Sequence, residues 1–279
     1  MLNLFTKPSD TTLNFADIHT AYASPLQVDK LSFSTSQQTL VDQVSFNLKA
    51  GEMSVILGPN GAGKSSLLKL ISGELNQGGH NIRLFGQPRD IWPAHLLAQH
   101  MAILPQSSQL SFAFSVQEVV ALGGLSLPLK HSEINHLAKE NMLATDVFHL
   151  ANRAYPSLSG GEKQRVHLAR VLTQLSCANQ HGLLLLDEPT SALDLAQQHK
   201  VLALCRQMCQ KGMTVLMVLH DLNLAAQYAD RLLLMQTGKL AIDGAPSKVI
   251  NPANIANIYG HKVKIEYHPV HHYPVIMSA

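Results

Sequence analysis

The chain has 279 residues, enough for a large core in one elaborate α/β unit or in two lobes. Its 21 Lys plus Arg against 19 Asp plus Glu leave a formal charge of +2, without the strong basic excess of a nucleic-acid binder, and an aromatic content of 5% offers little surface for stacking bases. No apolar run approaches the ~20 residues of a membrane-spanning helix, and the opening M-L-N-L-F-T-K-P-S-D has no charged segment leading into an apolar one. A cytoplasmic chain with no nucleic acid as partner is expected.

Residues 1–26 carry no clear periodicity and are set apart as an extension. From Val28 to Lys49 two alternating runs, V-D-K-L-S-F and T-L-V-D-Q-V-S-F-N-L, predict antiparallel strands. The buried strand M-S-V-I-L follows and ends at Gly58, and a helix from Ser65 to Ser72 stops at Gly73. Between Ile91 and Leu158 helical segments dominate (Trp92 to His100, Val116 to Leu122, Ser132 to His149), which predicts a helical insertion standing out from a sheet domain. Afterwards the α/β alternation resumes: a helix from Asp194 to Lys211 ended by Gly212, an N-cap at Asp221, and a hairpin turning at Thr237-Gly238. The three cysteines suit a reducing compartment, and Cys205 and Cys209, one helical turn apart among leucines, are expected to pack in a core. Periodicity assigns no shape to the His- and Pro-rich tail, 251–279.

Four continuous apolar runs stop at residues able to do chemistry: S-V-I-L at Gly58, A-I-L-P at Gln106, L-L-L-L at Asp187 and T-V-L-M-V-L at His220. Such runs suit parallel strands covered on both faces, and ligands of open α/β sheets bind beyond the carboxyl ends of the strands. All four ends should therefore meet at one crevice.

Gly58, Pro59, Asn60, Gly61, Ala62, Gly63, Lys64, Ser65 and Ser66 form a phosphate-binding loop between strand and helix. Backbone N–H groups and the helix start would cradle phosphates, Lys64 would bridge the β- and γ-phosphates, and the Ser65 hydroxyl would ligate Mg²⁺. Asp187 can hold the Mg²⁺ shell while Glu188 reaches the attacking water as general base; alternatively a strand ending in D-E caps the next turn. His220 is placed to sense a γ-phosphate, although a lone histidine after a strand is usually a core residue. Gln106 would reach the metal or the water. Ser159, Gly160, Gly161 and Glu162 open a helix whose N–H groups suit an anionic γ-phosphate, and Ser159 with Glu162 is equally a capping box.

With L-S-G-G-E-K-Q-R (Leu158 to Arg165) the chain resembles the nucleotide-binding subunits of ATP-binding-cassette (ABC) transporters, over about Leu26 to Ile250. The resemblance implies a P-loop (RecA-like) α/β domain over 27–250, with an antiparallel β subdomain and a helical subdomain at about 91–158. It implies ATP hydrolysis with Mg²⁺, and a head-to-tail homodimer in which Ser159, Gly160, Gly161 and the D-loop residue Asp194 act in trans on the partner's ATP. It also implies an aromatic stacked on adenine, for which Phe33 is the nearest candidate, though S-F-S-T-S lacks the usual tyrosine.

Finer features narrow the resemblance. The stretches L-P-Q-S-S-Q-L-S-F-A-F-S-V-Q-E-V-V-A-L-G and V-L-H-D-L-N-L-A-A-Q-Y-A-D-R are similar to bacterial haem (hemin) import ATPases, and less closely to iron-siderophore and cobalamin importers. That implies two transmembrane permease subunits, an indirect link to a periplasmic haem-binding protein, and a peripheral place on the cytoplasmic face of the inner membrane. The segment from Gln106 to Gly124 would transmit motion to the permease. Gly124 departs from the arginine often found there, at a position expected to face the permease. A soluble non-transport ABC ATPase remains the rival from another class; it usually shows a second cassette or a long coiled-coil insertion, and neither is visible. His261, His268, His271 and His272 invite a haem-binding reading, but their spacing matches no metal motif and a solvated or packing tail is expected.

Overall fold

The computed structural model of the protein describes residues 24–106, 113–178 and 181–278. In chain order, β1 (Leu26–Ser34) and β2 (Thr39–Leu48) pair antiparallel as predicted, and bulges at Lys30 and Gln43, both with positive φ, interrupt the period of two so that one face stays buried. Next come β3 (Met53–Leu57), with all five residues buried, and α1 (Lys64–Ser72), closed by Gly73 at φ 85°. Two short strands, β4 (Ile82–Leu84) and β5 (Gln87–Pro88), complete a sheet of order β2-β1-β4-β5. Pattern alone did not reveal them, because three and two residues are too few to display a period.

The chain continues through α2 (Ala94–His100), β6 (Met101–Leu104), α3 (Val116–Ala121), α4 (His131–Ala144) and α5 (Gly160–Gln174). After β7 (Leu183–Asp187) come α6 (Leu195–Gln210), β8 (Thr214–Val218), α7 (Leu222–Tyr228) and the hairpin β9 (Arg231–Gln236) with β10 (Lys239–Gly244). Thr237 and Gly238 turn that hairpin with φ of 46° and 80°, both positive, as a two-residue hairpin turn twisted like its strands requires. The last elements are α8 (Pro246–Val249), α9 (Pro252–Tyr259), β11 (Val263–Tyr267) and β12 (Pro274–Ser278).

The main sheet runs β10-β9-β3-β8-β7-β6, parallel from β9 to β6 with β10 antiparallel at its edge. Successive strand residues face opposite cores. Leu184, Leu186, Val215 and Met217 pack with α5 and α6 on one side; Leu183, Leu185, Leu216 and Val218 pack with α1 and the antiparallel sheet on the other. Each fully buried leucine contributes about 1.5–3 kcal/mol relative to exposure, so both layers hold the strand register firmly. Register pairs Ile56 with Val218, Val218 with Asp187, and Leu186 with Leu104, which sets the carboxyl ends of β3, β8, β7 and β6 along one edge.

Within residues 91–158, α2 and β6 side with the main sheet: β6 pairs with β7, and Gln174 Nε2 donates to Ala98 O at 2.9 Å and Met101 O at 3.0 Å. The helices that stand apart are α3 and α4, with a core (Val116, Val119, Val120, Ala138, Met142, Tyr155) that closes on Val166 and Ala169 of α5. One helix thus serves both layers. Gly124 is buried there, and a Cβ at this position would lie 2.4 Å from Ile134 Cγ2 of α4, so a side chain would fit only if Ile134 moved. Of the expected transmitting segment, residues 107–112 lie outside the described residues.

Cys205 and Cys209 are 1% and 3% exposed in the main core, and burial pushes both thiols up to about 12. The tail is ordered into elements that periodicity did not show. Asn251 caps α9, and β11 pairs with β12 in a hairpin that docks on α7. Its anchor is Asn223, which donates to Ile276 O at 3.2 Å and accepts from Ile276 N at 2.7 Å. In the hairpin loop, His268 Nδ1 accepts the backbone N–H groups of Val270 and His271, and the ring stacks on Tyr273.

Candidate active site

The aligned strand ends open onto a cavity of about 630 Å³ lined by Leu40, the loop from Asn60 to Ser66, Gln106, Glu188 and His220. Its floor is the turn from β3 into α1. Gly58 adopts φ 146° against the carbonyl of Met235, and Gly63 adopts φ 94° against that of Leu40; a side chain at either would be strained and would strike backbone. The helix starts at Lys64 with no acidic residue in its first turn, so its unpaired N–H groups and positive end face the cavity undiminished.

Lys64 is 6% exposed, and its Nζ donates to Gly58 O at 2.8 Å and Pro59 O at 2.9 Å. Burial lowers its pKa from the ordinary lysine range, opposed by the charges of Glu188 and Asp187. Asp187, 4% exposed, accepts from Ser65 Oγ at 3.2 Å, yet burial raises its carboxyl pKa and the neighbouring Glu188 adds to that. A buried carboxylate facing a hydroxyl, its charge only partly offset by Lys69 and Lys64, is a fitting oxygen donor set for a hard divalent cation.

The sign of that shift is testable. A carboxyl held above its unfolded value of 3.8 lets the folded state favour the neutral form, so its cost to stability is absent below that pH, grows as pH rises through it, and persists at neutrality. Asp187→Asn keeps an acceptor for Ser65. In nucleotide- and metal-free protein it is expected to raise the melting midpoint by a few degrees at pH 7 and to leave it unchanged near pH 4. Equal midpoints at both pH values would contradict the buried-charge account.

Glu188 sits at the centre of the polar contacts. Its Oε2 accepts from Gln106 Nε2 at 2.9 Å, its Oε1 is hydrogen-bonded to His220 Nε2, and the side chain is 13% exposed. The two partners come from the ends of β6 and β8, on either side of β7, as the register dictates. A carboxylate so gripped can be aimed at a water above the phosphate loop.

Gly58 and Pro59 support the loop from behind, and Lys64, Ser65, Gln106, Glu188 and His220 are brought to one cavity. Ser159, Gly160, Gly161 and Asp194 do not line it. Ser159 caps α5, accepting from Glu162 N at 3.3 Å while Glu162 Oε2 accepts from Ser159 N at 2.7 Å, and Asp194 caps α6 through Gln197 N. Phe33 requires a correction. It is 9% exposed, packed with Val28 and Leu31 on the inward face of β1, so it is a core residue and not a surface for adenine; Leu40 of β2 lines the cavity instead. Strict alternation from Val28 would place Phe33 on the outward face; a bulge at Asp29–Lys30, with Lys30 at φ 47°, shifts the period and turns it inward.

Three further residues carried no sequence signal. Gln164 of α5 donates to the Glu188 carbonyl, Asn223 anchors the tail just beyond His220, and Tyr259 of α9, pushed up to about 12 by burial, meets the backbone of Gly58. Only folding brings them near.

A phosphate loop between buried strand and helix, with two carboxylates at the end of β7, one strand removed in the same parallel sheet, defines a P-loop nucleotide-binding protein. More narrowly, the chain belongs to the ABC transporter family, whose model matches residues 41–191. It is similar to the Hemin import ATP-binding protein HmuV of Photobacterium damselae subsp. damselae, 50% identical over 257 residues that cover 92% of this chain and 97% of that protein. The protein of the same name from Vibrio cholerae serotype O1 is 49% identical over 255 residues, 91% of this chain and 98% of that one. Among solved structures, cbiO1 of Clostridium perfringens, part of the ABC transporter complex cbiONQ, superposes with a TM-score of 0.71 at 28% identity, over 85% of this chain and 94% of that one.

Proposed function

We propose that the chain is the ATP-hydrolysing subunit of an ABC importer that energises haem (hemin) uptake across the bacterial inner membrane. The observation that carries this reading is the grip of Gln106 and His220 on Glu188 beside the Lys64 loop, in a chain half identical to hemin import ATP-binding proteins over nine-tenths of its length. No helix among the described residues is long and apolar enough to cross a membrane. A peripheral subunit on the cytoplasmic face, working with two transmembrane permease subunits and indirectly with a periplasmic haem-binding protein, accommodates that.

In the proposed mechanism Lys64 and the N–H groups of 61–66 hold the β- and γ-phosphates. Ser65, Asp187 and Gln106 would hold Mg²⁺, which when bound neutralises phosphate charge. Glu188 takes the proton of the attacking water as its oxygen bonds to the γ-phosphorus and the bond to the β-γ bridging oxygen breaks, releasing ADP. His220 fixes Glu188 and meets the γ-phosphate. Two copies arranged head to tail supply Ser159, Gly160, Gly161 and Asp194 to each other's ATP, so hydrolysis follows closure of the dimer and reopens it.

The test is transport by the chain purified with its permease in proteoliposomes, offering haem, a ferric siderophore or cobalamin. Haem uptake that requires ATP and stops with Lys64→Ala is the expected result. Uptake of another cargo with haem refused would overturn the haem assignment, and uptake without ATP consumption would overturn the ATPase role.

A further inference from the structure

Glu188 adopts φ 52°, in the left-handed region that a residue with a side chain seldom occupies, so its surroundings must hold it there. Its N–H donates to Val218 O at 3.2 Å. Its carbonyl accepts three further bonds, from Gln164 Nε2 at 2.8 Å, from Ser191 Oγ at 3.1 Å and from the Ser191 backbone N–H at 3.3 Å. The other end of the same carboxamide, Gln164 Oε1, accepts from Ala192 N at 3.2 Å. One flat side chain therefore clasps both ends of the turn from Glu188 to Ala192 that follows β7.

Gln164 stands on α5, less than two turns beyond Ser159–Gly161. The start of that helix touches the same turn: a Cβ on Gly161 would lie 2.8 Å from Ala192 O. Glycine at 161 thus serves close approach within the chain. Backbone contact and the Gln164 clasp together make the α5 start and the Glu188 turn one body.

We infer that Gln164 is a positioning residue for hydrolysis: its carboxamide sets the strained backbone of Glu188 so that the carboxylate meets Gln106 and His220. This also ties the base of one nucleotide site to the helix start proposed to serve the other. The inference rests on Glu188 acting as base, and it goes beyond that reading by naming what aims the base. The chemistry is specific to a primary amide. Leucine fills nearly the same volume with neither donor nor acceptor, and glutamate keeps an acceptor for Ala192 but turns a second oxygen toward the Glu188 carbonyl.

Gln164→Leu is expected to lower kcat about 10- to 100-fold, the scale of misplacing a catalytic group by a fraction of an ångström to one ångström. KM for ATP and the Kd of a non-hydrolysable ATP analogue should stay unchanged, because Lys64 and Ser65 are untouched. Gln164→Glu should lose at least as much, and decides the matter if the leucine variant folds poorly. In mixed dimers whose other chain carries Lys64→Ala, the loss should follow Gln164→Leu on the chain with Lys64 intact. Loss from the opposite chain instead, or kcat and KM shifting together, would make Gln164 a support for α5 and overturn the inference. Full turnover in Gln164→Leu and Gln164→Glu while Glu188→Gln is inactive sinks this inference alone; full turnover in Glu188→Gln sinks the reading beneath it.

Discussion

Glu188→Gln is expected to cut ATP turnover by ~10²–10⁴, the usual worth of a positioned general base, while ATP still binds. Glutamine copies the shape of glutamate and can still bond Gln106 and His220, but it has no basic oxygen to take the proton of an attacking water. The loss should therefore fall on kcat, with little change in the Kd for ATP, because the phosphate loop from Gly58 to Ser66 keeps its own bonds. Phosphate-release kinetics beside equilibrium binding would separate the two quantities. Since closure of the proposed dimer depends on bound ATP, this variant should also accumulate as an ATP-dependent dimer in sedimentation. Turnover near that of the unaltered chain would remove Glu188 from the chemistry.

Mixed pairs of Lys64→Ala and Ser159→Arg chains are expected to hydrolyse ATP although each variant alone is nearly inactive, down by ~10²–10³ as for loss of a preorganised charge contact. The reason is geometric. Within one chain Lys64 lines the cavity while Ser159 lies away from it, at the start of α5. If Ser159 serves the partner's nucleotide, a mixed pair joins the sound Lys64 loop of one chain to the sound Ser159 of the other and keeps one of its two sites whole. Arginine at 159 would both remove the cap acceptor and fill the space meant for phosphate. Activity recovered on mixing, and scaling with the fraction of mixed pairs, is the positive result. No recovery at any ratio would mean that each chain completes its own site.

Much of the site was legible in the residues because its pieces are local. A phosphate loop needs glycines at set spacing, since only they tolerate φ of 146° at Gly58 and 94° at Gly63 against backbone carbonyls. The leucine run of β7 and the apolar run of β8 announce strands buried on both faces, and their ends mark the cavity. Phe33 shows how a local reading fails: proximity in the chain suggested an adenine platform, whereas the bulge at Asp29–Lys30 of β1 turns the ring inward. Gln164 shows the converse. Nothing in K-Q-R distinguishes it from a solvated helix residue until α5 is laid against the turn after β7.

The linear order of residues by itself determined the α/β class, the phosphate loop, the carboxylates beyond β7 and the family kinship, because each depends on short-range periodicity or spacing. The tertiary structure alone decided that Gln106 and His220 meet on one carboxylate, that α5 braces the turn bearing it, and that the His-rich tail docks on α7 through Asn223. Those contacts join residues tens of positions apart, and no local pattern records which long-range pairs the sheet register and the burial of two opposed cores will bring within hydrogen-bonding reach.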